Sequence, residues 1–228
     1  MLPRVDVPQY EAILPSTGET IKFRPFLVKE EKILMLASEE GDYKGMVNAC
    51  HQIVQNCTNG KLDEDMTMFD MQDVFIRIRS KSVGETQEFS LICGECEKTI
   101  SYDLELENLR AKGLDNLPDT NIKVGDDFIV VMKYPSAKEV ADLEDMTDID
   151  VISKCIVSIV TEEEETLIKD VSQEELMEFL EELPLSAMDQ MREFFRSMPY
   201  VEHRVEYTCP HCEAEQAISI NGYEHFFA

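Results

Sequence analysis

The sequence predicts an α+β fold of two related halves, and three observations predict it. Short runs of alternating polarity bounded by turn residues stand beside longer runs with helical spacing of apolar positions. The same order of elements, a hairpin, then helices, then strand–turn–strand, is met twice. Each pass ends on a Cys-x-x-Cys pair, Cys93/Cys96 and Cys209/Cys212, and the pairs are separated by close to half of the 228 residues.

In the first half, residues 10–27 form a hairpin turning at Pro15-Ser-Thr-Gly18. A helix is expected from Val28 to Glu40, with Ile33, Leu34, Leu36 and Ala37 as its apolar face and Gly41 as its stop. Helices over Met46–Cys57 and Met68–Arg79 follow, the latter entered through the capping pair Thr67 and Asp70. Strands Thr86–Ile92 and Thr99–Leu106 flank the tight turn at Cys93-Gly-Glu-Cys96.

The second half opens with a hairpin over Asn121–Tyr134, turning at Gly125-Asp126. Ser136 and Glu139 cap a helix, and a second helix is read over Ile149–Val160. After the acidic turn Glu162–Glu165, Ser172 and Glu175 form a capping box for a helix ending near Leu183. Pro184 restarts the chain into a helix to about Met198, and strands Val201–Thr208 and Ala217–Ile220 flank Cys209-Pro-His-Cys212. The texts Ile78-Arg79-Ser80 and Phe195-Arg196-Ser197 echo one another ahead of the two turns. These parallels imply an internal duplication into residues 1–110 and 119–228, each carrying one turn, with Asn108–Pro118 as connector. One intertwined domain is the alternative.

Composition narrows the function classes. Hydrophobic residues at 43% against charged ones at 30% place the chain among globular proteins and not disordered ones. The 47 acidic and 21 basic residues give a net charge of −26, which repels phosphate backbones and excludes a nucleic-acid partner. The acidity reads as a solvated surface, or as a surface that meets basic patches of a protein partner. The best apolar run, Ile156–Val160, is far too short to span a membrane. Met1–Pro25 lacks the apolar core of an export signal, so a reducing cytosol is expected. There, seven cysteines are thiols or metal ligands and not a disulfide framework.

A Cys-x-x-Cys turn between strands brings both sulfurs to the inside of a bend, where backbone N–H groups help stabilise thiolates. Two such turns supply the four soft ligands of a closed tetrahedral zinc site, Cys93, Cys96, Cys209 and Cys212. The expected cofactor is structural Zn2+, clamping one half to the other with its binding coupled to folding. A thioredoxin-like redox pair is disfavoured because such pairs open helices. A pair of disulfides is disfavoured by compartment, and a duplicated site that has lost its metal is the third rival. His211, between the ligands, is read as facing outward. Cys50, Cys57 and Cys155 lie in helical text and are read as small core hydrophobes.

No nucleophile elbow, phosphate loop, dinucleotide fingerprint or HExxH helix is present, so no enzyme is expected. His51, His203, His211 and His225 have no nucleophile or carboxylate at catalytic spacing. Leu176, Phe179, Leu180 and Leu183 make a core-facing stripe, and the aromatic end Tyr223–Ala228 is expected to tuck onto the core.

The text from Leu14 to Leu34, centred on Phe23-Arg-Pro-Phe-Leu-Val-Lys-Glu-Glu-Lys32, resembles the T4-type bacteriophage baseplate protein family, whose members are hub-associated proteins of contractile tails. The acidity, length and late Cys-x-x-Cys are similar too. The resemblance implies a non-enzymatic role in building the baseplate hub, as a hub component or an assembly factor. Other hub and tail proteins would be its partners, in the host cytoplasm during assembly and in the virion tail if it stays. It brings no catalytic residues. A zinc-stabilised acidic adaptor or chaperone outside phage, or a Cys-x-x-Cys thiol oxidoreductase, is the alternative.

Overall fold

The computed structural model describes residues 6–60, 62, 65–125, 127–141 and 146–221. Asp126, His225 and the aromatic stretch Tyr223–Ala228, on which expectations were placed, lie outside the described residues.

The chain runs β1 (Tyr10–Ile13), β2 (Thr20–Phe23), α1 (Val28–Glu40), α2 (Tyr43–Cys57), α3 (Met68–Val83), β3 (Thr86–Ile92), β4 (Thr99–Glu105) and β5 (Arg110–Lys112). It continues β6 (Asn121–Val124), β7 (Phe128–Met132), α4 (Ala137–Ala141), α5 (Asp148–Cys155), β8 (Ile156–Thr161), β9 (Glu165–Leu167), α6 (Gln173–Glu181), α7 (Leu185–Arg196), β10 (Tyr200–Thr208) and β11 (Glu215–Asn221). The fold is α+β, with small antiparallel sheets. It divides into two compact units, the first of residues 1–112 with 200–228 and the second of residues 113–199.

This division differs from the sequence boundaries of 1–110 and 119–228 in where the last strands go. The connector supplies the reason. Arg110–Lys112 is a strand, β5, and pairs antiparallel with β10 through Tyr200↔Lys112, Val201↔Ala111 and Glu202↔Arg110. Lys112 Nζ also meets Glu202 Oε2 at 3.1 Å. The hairpin β10–β11 therefore completes a three-stranded sheet in the first unit.

In the first unit, α2 and α3 carry the core. Val47, Cys50, Ile53 and Val54 of α2 and Met71, Val74, Phe75 and Ile78 of α3 are fully buried, at spacings of three and four that keep them on one face. Asp42 and Thr67 start these helices by accepting from the N–H of Gly45 and Asp70. Asp70 also accepts from the N–H of Ser16 at 2.9 Å, tying the β1–β2 turn to α3. Phe75→Ala is expected to cost about 3–5 kcal/mol in urea unfolding, because its ring is wholly enclosed.

The first helix is less buried than its pattern predicts. Leu36, expected on the core face, is 61% exposed, and Ala37 with Glu30 are the buried positions. The helix packs along α2, with Ile33 and Leu34 half-buried and Met35 and Leu36 exposed.

The second unit is a four-stranded antiparallel sheet, β6-β7-β8-β9, with a core shared by Val130, Met132, Ile152, Leu176, Leu180, Met191 and Phe194. Tyr134 stacks on Phe194 with ring centroids 5.4 Å apart. Residues Ile149–Val160, expected as one helix, are instead helix to Cys155 and strand from Ile156. The β-branched run Ile156-Val-Ser-Ile-Val160 favours extended backbone, and pairing along β7 stabilises it there. At Ser136/Glu139 both capping bonds are present, Ser136 N–H to Glu139 Oε2 at 2.8 Å and Glu139 N–H to Ser136 Oγ at 3.2 Å. Ser172/Glu175 shows the N-cap half of the expected box, Glu175 N–H to Ser172 Oγ at 3.2 Å.

Candidate metal centre

Both Cys-x-x-Cys turns are built the same way. Hairpin β3–β4 closes at the pair Ile92↔Thr99, and β10–β11 at Thr208↔Glu215. Inside each, the first cysteine's N–H reaches the carbonyl five residues on: Cys93 to Lys98 at 3.0 Å, and Cys209 to Ala214 at 2.9 Å. Its carbonyl accepts from the N–H four residues on, Glu97 at 3.0 Å and Glu213 at 2.9 Å. Those two glutamates have φ of 56° and 62°, the left-handed region that only a few per cent of non-glycine residues enter. They are functional positions that sequence reasoning missed, although both turns read Cys-x-x-Cys-Glu. The left-handed residue turns the chain back so that the carbonyl after it meets the first cysteine's N–H.

The turns converge. Cys93 Sγ lies 3.8 Å from Cys212 Sγ, and Cys96 Sγ lies 3.7 Å from Cys209 Sγ, across 119 and 113 residues of sequence. All four sulfurs fall within 4.8 Å of one another. A tetrahedral site with Zn–S bonds of about 2.3 Å has S···S edges of about 3.8 Å, so this donor set fits a divalent soft-ligand metal. Among the described residues it is the one group of three or more His, Cys, Asp or Glu placed to hold an ion. Cys93 and Cys209 are buried, Cys96 is half-buried and Cys212 is exposed. The centre thus sits at the edge of its unit, open to solvent on one side.

Electrostatics favour a cation there. Burial works to raise the Cys209 thiol, but the N–H groups of His211 and Cys212 and the neighbouring thiols bring it down to about 7. Cys212 goes the other way, to about 12: the Ala214 N–H favours its thiolate, but burial and hydrogen bonding with the other three sulfurs outweigh it. Four thiolates this close repel one another, and a divalent ion among them removes the conflict.

The remaining cysteines behave as core. Cys50, Cys57 and Cys155 are wholly buried, and burial pushes Cys57 up to about 11 and Cys155 to about 12, which keeps them protonated and unreactive. His211 is exposed, and its N–H donates to Cys209 Sγ at 3.4 Å. No helix of the described residues is long and apolar enough to cross a membrane.

The Phe23–Lys32 segment proves to be a fold element. Arg24, 8% exposed, makes a two-pronged pair with the buried Glu30, Nη2–Oε1 at 2.9 Å and Nη1–Oε2 at 3.2 Å. It also donates to the carbonyls of Pro25 and Asn56, the latter in the last turn of α2. Glu30 in turn accepts from the Leu27 N–H at 2.8 Å. One ion pair thereby joins the end of β2, the start of α1 and the end of α2.

No curated protein and no solved structure matches this chain. The model of one protein family does, described as T4 bacteriophage base plate protein, over residues 7–228. That span takes in the ion-paired segment, both units and all four clustered cysteines, and the chain belongs to the T4 bacteriophage base plate protein family.

Proposed function

We propose that this base plate protein acts without enzymatic activity in the assembly of the baseplate hub, and that Cys93, Cys96, Cys209 and Cys212 hold a structural zinc ion. The observation that carries the reading is the converged four-sulfur cluster. Its dimensions suit a closed tetrahedral site, and a metal with four protein ligands has no open position for water or substrate. The ion would join β3–β4 to β10–β11, hairpins far apart in sequence, and so make the C-terminal strands part of the first unit. Other hub and tail proteins are the partners this reading supplies, met in the host cytoplasm as the hub is built. The net charge of −26 supports partners with basic surfaces and opposes nucleic acid.

Quantitative mass spectrometry of mature virions against assembly intermediates tests the role. The chain present in the hub of mature particles identifies a hub component, and its presence in intermediates alone identifies an assembly factor. Absence from both would overturn the proposal. Metal analysis of the purified protein is expected to give about one zinc per chain.

A further inference from the structure

Among the described residues, the first unit carries an open groove with an apolar stripe and a polar rim. It lies between α1, the C-terminal end of α3 and the start of β3, and has a volume of about 640 Å³. Leu34 and Met35 of α1 and Val83 of α3 line it. Met35 is 58% exposed and Val83 59% exposed, although both are large apolar side chains. Folding normally buries such groups when a neighbouring element is within reach, and grouped exposed ones mark a contact surface. Glu31, Glu39 and Glu88 stand around the same groove, and all three are exposed.

We infer that this groove docks a basic amphipathic helical segment of a partner protein, its apolar stripe on Leu34, Met35 and Val83 and its Lys or Arg residues over Glu31, Glu39 and Glu88. Three features select that occupant. The groove has room for a few large side chains, the anchors by which an amphipathic helix engages such a site. Methionine in its lining adapts to differently shaped anchors. The lining carries three carboxylates against one cation, Arg79, whose Nη2 donates to Gln87 Oε1 at 2.8 Å, on a chain of net charge −26, so a basic segment is favoured and an acidic one is repelled. A second copy of this chain would bring a like-charged surface, which disfavours self-association through the same face. The inference gives the partner-binding role a place and a chemistry, and it does not depend on the metal.

The test uses the full-length protein and a synthetic 20-residue Leu/Lys amphipathic helix carrying a fluorophore, with anisotropy as readout. The helix is expected to bind, and Met35→Ser and Val83→Ser, which change no charge, are each expected to weaken it about tenfold. Glu39→Lys is expected to weaken it comparably at low salt and less at high salt. A scrambled peptide of equal charge but no apolar stripe should bind at least about tenfold more weakly. Since Met35 and Val83 are exposed, their serine variants should melt with the parent, which separates lost binding from lost folding. Equal binding of the scrambled peptide, or unchanged affinity of both serine variants, would overturn the inference. So would a dimer seen by sedimentation that these variants dissociate, since the occupant would then be a second copy. Failure here with the chain still found in assembling hubs would reject the groove and leave the hub role standing.

Discussion

Serine in place of Cys93 is expected to abolish stoichiometric zinc binding and to destabilise the first unit by on the order of 5 kcal/mol. Cys93 is fully buried and its sulfur faces Cys212 at 3.8 Å, so it is one of the enclosed ligands of the set. A hydroxyl is a poor substitute for a thiolate at a soft site, and three ligands would leave the ion exposed on one side. Cys209→Ser should behave alike, because each hairpin contributes two of the four sulfurs. Cys155→Ala is the control: it removes a buried thiol from the second core and should keep the metal while costing only packing. Metal content by atomic emission and thermal unfolding read the two effects separately. A Cys93→Ser protein with undiminished zinc, or a parent protein without any, would sink the metal reading.

Chelation of the wild-type protein should act on one hairpin before the other. Among the described residues the β3–β4 hairpin is a two-stranded sheet, a structure that is marginal by itself. Hairpin β10–β11 is held on its other edge by β5 and rests on α3. Amides of Thr86–Ile92 and Thr99–Glu105 are therefore expected to lose hydrogen-exchange protection first when a chelator removes the proposed zinc.

How much of this was legible in the residues depends on whether the signal was local. The helix bounds at Val28–Glu40 and the strand Thr86–Ile92 follow from periodicity and turn residues, and the structure has the same bounds. The four cysteines could be paired as turns from spacing alone, because a Cys-x-x-Cys bend is a local geometry. Their convergence is not local, and only the repeated setting of the turns pointed to it. What was misread was set by tertiary pairing. Ile156–Val160 has an apolar run that fits helix or strand until β7 claims one edge of it. Arg110–Lys112 is too short and polar to announce itself, and becomes a strand only because β10 lies alongside. Leu36 had the right spacing for a core face, but α1 buries only Glu30 and Ala37 and leaves Leu36 in water. A duplication of the whole chain rests on element order alone, whereas the two cysteine turns share the same two backbone hydrogen bonds and the same left-handed glutamate.

Removing either partner of the Arg24–Glu30 pair is expected to cost about 3–5 kcal/mol, more than any exposed ion pair on this protein. Glu30 is 0% exposed and its carboxylate is satisfied by Arg24 and the Leu27 N–H. Arg24→Ala strands that charge inside the protein and also frees the Asn56 carbonyl at the end of α2. Glu30→Ala strands the guanidinium. Replacing both, as Arg24→Met with Glu30→Leu, removes two desolvated charges together and should cost less than the sum of the single changes. The pair also sets an acid limit. Burial by itself would raise the Glu30 carboxyl, but hydrogen bonds from Arg24 and Leu27, with the Arg24 charge, outweigh it and hold the carboxyl below its ordinary 4.5. A group with a lowered folded value stabilises the fold above its unfolded value, and that contribution is lost as pH falls through the folded one. Unfolding free energy should therefore drop below about pH 4.5, and less steeply in the double replacement, which lacks the Glu30 carboxylate. Urea titrations at a series of pH values measure both. Single changes that each cost less than about 1 kcal/mol would place the pair with ordinary surface contacts. They would also remove the physical reason for an arginine and a glutamate six residues apart at the junction of β2, α1 and α2.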